Sequence, residues 1–174
     1  PLSMRDTQFF LSPDEAGNLV GVYSRSDDLT LVRAPDPGGA VGQGHYVEGP
    51  QLVESGGAGL IISAEDYVTI LDMLRAGGVH DGQRLLNAET VALMAGPVVH
   101  GAAPPWHPVD TLSFGLGHEV SSGRQGGRPT GSLGWGGAYH SVYALTELGE
   151  DVLRVARKPH ACFRAIGLLR QAGQ

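Results

Sequence analysis

Cysteine is almost missing from this chain: Cys162 is the single one among 174 residues. One thiol can form neither an internal disulfide nor a cysteine metal cluster, and it favours a cytoplasmic setting. Lysine is equally scarce, with Lys158 alone. No apolar run reaches the roughly 18 residues that a membrane span requires, so no membrane span is expected. No signal peptide is visible either, although the chain starts at Pro1 rather than Met. Basic residues number 12 against 18 acidic ones, a net charge of -6, which argues against a nucleic-acid binder, whose surface is normally basic. The seven histidines (45, 80, 100, 107, 118, 140, 160) show no ligand spacing, so no metal and no cofactor are implied. Phosphate loops, dinucleotide fingerprints and a Gly-x-Ser-x-Gly elbow are absent too.

What remains is a globular composition, 41% hydrophobic and 17% charged, in a length suited to one domain with a real core. Residues 1–54 read as irregular, apart from a helical turn near 13–17 started by Ser12-Pro13. The stretch "RAPDPGGAVGQGHYVEGP" (33–50) is a long Pro/Gly loop, and loops of that length are commonly site walls or lids. The clearest helix follows: Ser63 caps it, Asp66 takes the capping-box position, and Tyr67, Ile70, Leu71 and Leu74 recur at helical spacing. Gly77-Gly78 stops it, and Asp81-Gly82 forms a tight turn. Asn87 caps a second helix carrying Val91, Leu93 and Met94, and residues 97–108 form another proline-rich loop.

From Thr111 the period changes to two. Phe114, Leu116, His118 and Val120 are expected on one face of a strand, with a loop over 121–130 and the stretch "GSLGWGGAYHSVYAL" next. Residues 141–146 and 152–156 read as a hairpin, and Cys162, Phe163, Ile166 and Leu169 line a last helix. Five basic residues after Asp151 fall on the solvated face of that helix. The expected class is α+β in one domain, with helices and loops over 1–110 and sheet strands plus a terminal helix over 111–174.

Four segments, "PLSMRDTQFF", "SGGAGLIISAEDYVTILDMLRAGGVHDGQRLLNAETVALM", "FGLGHEV" and "GSLGWGGAY", occur in the order found in serine hydrolases of the class C β-lactamase and penicillin-binding-protein type. The chain resembles the esterase branch often called family VIII, from Pro1 to about Ala156. The resemblance implies the C-terminal part of the β-lactamase/transpeptidase-like fold. It also implies that Trp135, Gly136 and Gly137 match a strand that walls the active site, and that the backbone N–H of Ala138 serves the oxyanion hole. Small residues suit that place, because a donor must come within about 2.7–3.1 Å of the developing oxyanion. Tyr139 and His140 would border the acyl pocket, and the 33–50 and 97–108 loops would shape its mouth.

The family attacks its substrate with the serine of Ser-x-x-Lys, since a hydroxyl is a weak nucleophile without an adjacent base. Here the residue three before Lys158 is Val155, so that motif is absent. Tyr139-His140-Ser141 fits Tyr-x-Ser but stands after the glycine strand, where the family does not put it. The expected activity is a serine hydrolase cleaving a small ester or amide through an acyl-enzyme, with the nucleophile on a missing N-terminal half. The alternatives are a non-catalytic binding module or pseudoenzyme, and an acyltransferase of the same family. An isolated chain is expected to self-associate or to be only marginally folded, through the unpaired edge of strand 152–156 and the apolar faces the missing half would cover.

Overall fold

The computed structural model describes residues 1–33, 46–47, 51–52, 54, 59–96, 98–100, 113–123, 129–136 and 142–146. They fall into two compact units, one from residues 3–67 and one from residues 68–155 together with Pro1 and Leu2. The strand expected at 152–156 and the terminal helix lie outside the described residues.

The unit over 3–67 has more order than its sequence promises. Residues Pro13–Asn18 form a 3-10 helix after Ser12. The Glu15 carboxylate accepts both the Ser12 N–H (3.0 Å) and its hydroxyl (2.6 Å). Strands β1 (Tyr23–Arg25) and β2 (Leu31–Arg33) pair antiparallel, in register Tyr23↔Arg33 and Arg25↔Leu31, within the stretch expected to be irregular. The hairpin was hidden because its strands are three residues long and β2, exposed throughout, carries no alternation to a buried face. Its turn is built by side chains. Asp28 accepts hydrogen bonds from the Ser26 hydroxyl and from the Thr30 N–H and hydroxyl, which holds Leu29 at φ 69. A branched residue in the left-handed region needs such a network to persist.

Helix α1 (Ala64–Arg75) begins as its sequence predicts, with the Ser63 hydroxyl accepting the Asp66 N–H at 3.2 Å. Asp66 does not close the expected capping box. Its carboxylate accepts instead the Asp6 N–H (2.9 Å) and the Thr7 hydroxyl (2.7 Å), which ties the N-terminal segment to the helix start. Next to that tie, Gln8 and Ile61 exchange backbone hydrogen bonds.

In the other unit, the later turns of α1 bury Leu71, Met73 and Leu74. The helix ends on a Schellman motif: Gly78 N–H donates to Met73 O and Gly77 N–H to Leu74 O, with Gly77 at φ 64. Strands β3 (Val79–His80) and β4 (Gln83–Arg84) follow as a hairpin. Asp81 (φ 47) and Gly82 (φ 75) at its tip match the primed turn that Asp-Gly favours. Helix α2 (Ala88–Ala95) runs from Asn87 to Gly96, and none of its residues is buried.

A five-stranded antiparallel sheet completes the unit: β5 (Val99–His100), β6 (Ser113–Phe114), β7 (Glu119–Val120), β8 (Leu133–Gly136) and β9 (Val142–Leu145), adjacent in chain order. Two expectations change here. Val99 and His100, placed in a loop by sequence, form the strand next to β6. The strand drawn through Phe114, Leu116, His118 and Val120 is a hairpin, in which Gly115 N–H donates to His118 O (2.9 Å). Gly117 at φ 91 supplies the reversal, and Leu116 ends half exposed on the turn. A Cβ on Gly115 would collide with the carbonyl oxygen of Met94, so the turn also admits α2 closely. Among the described side chains of the sheet, Val120, Leu133, Ala144 and Leu145 are buried and apolar. Mixed helices and antiparallel strands make the chain α+β, as expected.

Candidate functional site

Strand β8 carries the first part of the sequence-predicted wall. Leu133 and Gly134 are laddered on both sides, to Val120 and Glu119 of β7 and to Leu145 and Ala144 of β9. Trp135 and Gly136 continue the ladder to Tyr143 and Val142 of β9, whereas the β7 ladder stops at the Glu119–Gly134 pair. Beyond that pair β7 has given way to the 115–118 turn. Among the described residues, the β7 side of Trp135 and Gly136 therefore carries no strand.

Exposure follows the same division. Leu133 and Gly134 are buried, while Trp135 is 38% exposed and Gly136 is open to solvent. A strand end paired on one side offers its free backbone edge to an extended ligand. The Trp135 ring is held against Phe114 edge-to-face, with centroids 4.7 Å apart, so the indole has a fixed neighbour at the margin of that edge.

A polar pair that sequence reasoning did not find spans the same end of the sheet. His118, in the turn before β7, places Nδ1 2.5 Å from the Tyr143 hydroxyl on β9. Their rings stand edge-on at 5.8 Å between centroids. His118 is buried, and burial pushes its imidazole below the ordinary value of 6.5, which favours the neutral ring. No motif announces the pair, because its members lie 25 residues apart and meet only when the hairpins stack side by side.

Of the site residues that the resemblance implies, Trp135 and Gly136 stand together at the free end of β8. Gly137, Ala138, Tyr139 and His140 lie outside the described residues, as do most of the 33–50 loop and residues 101–108. Among the described residues no three His, Cys, Asp or Glu side chains are grouped to hold a metal ion, and no helix is long and apolar enough to cross a membrane.

Comparison with known proteins gives consistent matches. The family model described as Beta-lactamase matches residues 1–149. Two curated Mycobacterium tuberculosis proteins, Protein Rv1367c and Uncharacterized protein MT1414, are each 31% identical over 158 residues, covering 80% of this chain and 36% of the relative. The chain thus spans about a third of the length of the relatives it matches. Among solved structures, unliganded simvastatin synthase (LovD) from Aspergillus terreus matches with a TM-score of 0.57 at 22% identity, over 84% of this chain and 39% of that one. Its selenomethionyl derivative is the form compared; a second unliganded structure gives a TM-score of 0.56. At that identity the likeness is one of fold.

Proposed function

Because the chain belongs to the Beta-lactamase family, we propose that it supplies the substrate wall and oxyanion strand of a serine hydrolase that works through an acyl-enzyme. The observation that carries this reading is the one-sided ladder of β8. Leu133 and Gly134 are laddered on both sides, while among the described residues Trp135 and Gly136 are laddered on one side only, beside an exposed indole. An ester or amide laid along that edge would lead its carbonyl toward Gly137 and Ala138, where the Ala138 N–H is the proposed oxyanion donor. Tyr139 and His140 would then border the acyl group. Donors fixed in a strand need no reorganisation as negative charge develops, which is the main source of rate in such sites.

The nucleophile has to come from elsewhere, since these 174 residues contain no serine with a lysine at helical spacing. The full-length protein would carry Ser-x-x-Lys and form the acyl-serine there, and water would release the acyl group. An alcohol acceptor in place of water would make the same acyl-enzyme an acyltransferase. The likeness to simvastatin synthase concerns fold and does not choose between the two acceptors.

Labelling with a serine-directed fluorophosphonate, read by intact mass, tests the assignment. The full-length protein should take up one equivalent, and residues 1–174 alone should take up none. Stoichiometric labelling of a serine within residues 1–174 would place the nucleophile in this chain and overturn the reading.

A further inference from the structure

We propose that His118 and Tyr143 are positioning residues for the substrate wall, a side-chain bridge that takes over where the backbone ladder stops. The inference rests on the reading of β8 as that wall. Strand β8 lies between β7 and β9, and its ladder to β7 ends at the Glu119–Gly134 pair. Continued by one residue, that register would bring His118 level with Trp135, whose partner on β9 is Tyr143. At this level the three strands are joined differently. Trp135 is tied to β9 through backbone, and the turn before β7 is tied to β9 through the His118–Tyr143 hydrogen bond.

The arrangement has a chemical consequence. Extending the β7 ladder by two residues would steady the end of β8, but it would use the N–H and C=O groups along which a substrate must lie. A side-chain bridge between the two flanking strands limits their spreading and leaves that edge free. His118 is buried and Tyr143 half-buried, and a hydrogen bond partly shielded from water holds its geometry better than an exposed one. Phe114, one residue before the 115–118 turn, packs its ring on Trp135, so the segment that carries His118 also sets the indole. Loss of the bridge would let the end of β8 and the Trp135 ring shift together, and the proposed oxyanion donor follows three residues after Trp135.

The test uses the full-length protein with p-nitrophenyl butyrate, well below the melting temperature of every variant. Tyr143→Phe and His118→Leu should each lower kcat roughly ten- to a hundredfold, as small misplacements near a reacting group do, with KM little changed. His118→Asn, whose amide group stands where Nδ1 does and can still hydrogen-bond the phenol, should recover most of that loss. In a background where every tryptophan but Trp135 is replaced by Phe, used for spectroscopy alone, Tyr143→Phe should lower the fluorescence anisotropy of Trp135 and shift its emission to the red. The control is Gly137→Val, which perturbs the wall directly and should cost about 10²–10³ in turnover. If Gly137→Val is damaging while Tyr143→Phe and His118→Leu keep normal kcat and a normal Trp135 signal, the bridge is not a positioning device and the wall reading survives. Equal losses in the Asn and Leu variants at equal melting temperature would overturn it as well. Normal turnover in a folded Gly137→Val protein would remove the wall reading and this inference with it.

Discussion

Within residues 68–155, the buried side chains described are mostly apolar: Leu71, Met73 and Leu74 on α1, and Val120, Leu133, Ala144 and Leu145 on the sheet. Within residues 3–67 the buried apolar residues described are Leu11 and Val22, and carboxylates set most of the local order. Asp66 gathers Asp6 and Thr7, Glu15 gathers Ser12, and Asp28 gathers Ser26 and Thr30. The β1–β2 hairpin leaves Leu29, Leu31 and Val32 facing outward. Among the described residues, the first set is therefore marked by area removed from water and the second by hydrogen bonds to carboxylate oxygens. The first kind of stabilisation scales with side-chain volume and the second with geometry and protonation. Mutation and pH should separate them.

The largest effect is expected from breaking the apolar side. Leu71 is only 1% exposed, and Leu71→Ala should cost about 2–5 kcal/mol through lost burial plus the cavity left behind. Thermal melting would read this directly. A cost under about 1 kcal/mol would mean that the site collapses around alanine or that α1 contributes little.

A smaller and more local effect is expected at Asp66. Asp66→Ala removes an acceptor of two hydrogen bonds, and bonds to charged groups are worth about 1.5–3 kcal/mol in mutational series. Hydrogen exchange should then speed up at the Asp6 and Gln8 amides, while protection at Leu133–Gly136 and Val142–Leu145 stays as in the parent. Uniform loss of protection across both segments would show that the two kinds of region unfold as one.

The smallest effect comes with acid. Asp28 has its carboxyl lowered from 3.8 to about 2, first by the Ser26 hydroxyl and then by the Thr30 hydroxyl and N–H. Glu15 is lowered by the Ser12 hydroxyl, the Ser12 N–H and Gln8, in that order. For a carboxyl depressed in the folded state, the unfolded chain binds protons more readily. The stabilisation is therefore present above the unfolded value near pH 4 and is lost as pH falls through about 2. Both groups are solvent-exposed, so the change should stay confined to their own turns. Carboxyl-carbon NMR titration should give Asp28 a midpoint near 2, and a midpoint near 3.8 would mean that the turn is open in solution.

His118 runs in the same direction for a different reason. Burial lowers its value, so the unfolded chain takes up its proton first and stability should decline as pH falls below about 6.5. His118→Gln should flatten that part of the profile. An unchanged slope between pH 7 and 5.5 would assign the dependence to other histidines.

Helix α1 was legible because its signals are local: a serine cap, apolar residues at helical spacing and a glycine pair at the end all lie within sixteen residues. The Asp81-Gly82 hairpin was legible for the same reason, and so was the α+β class. Met73 was not on the predicted face, yet it is buried with Leu71 and Leu74. The alternation through Phe114, Leu116, His118 and Val120 misled, since period two is also what a short hairpin leaves when its turn carries one apolar residue. Gly115 and Gly117 were the correction available in the sequence, because two glycines one residue apart can supply a reversal that no continuous strand needs.

At the candidate site, sequence alone offered Trp135 and Gly136 as a match to the family's wall strand, an expectation read from contiguous residues, and the structure places both on β8. Sequence alone also determined that no Ser-x-x-Lys is present, because both members of that motif must stand at a fixed spacing. Tertiary structure decided where the β7 ladder stops, which residues of β8 are left exposed, and that His118 meets Tyr143. It also decided that Asp66 holds residues 6 and 7 rather than its own cap. These are all relations between segments about 15 to 60 residues apart. Chain closure over such distances is fixed by the packing of whole elements, and no local pattern of side chains encodes it.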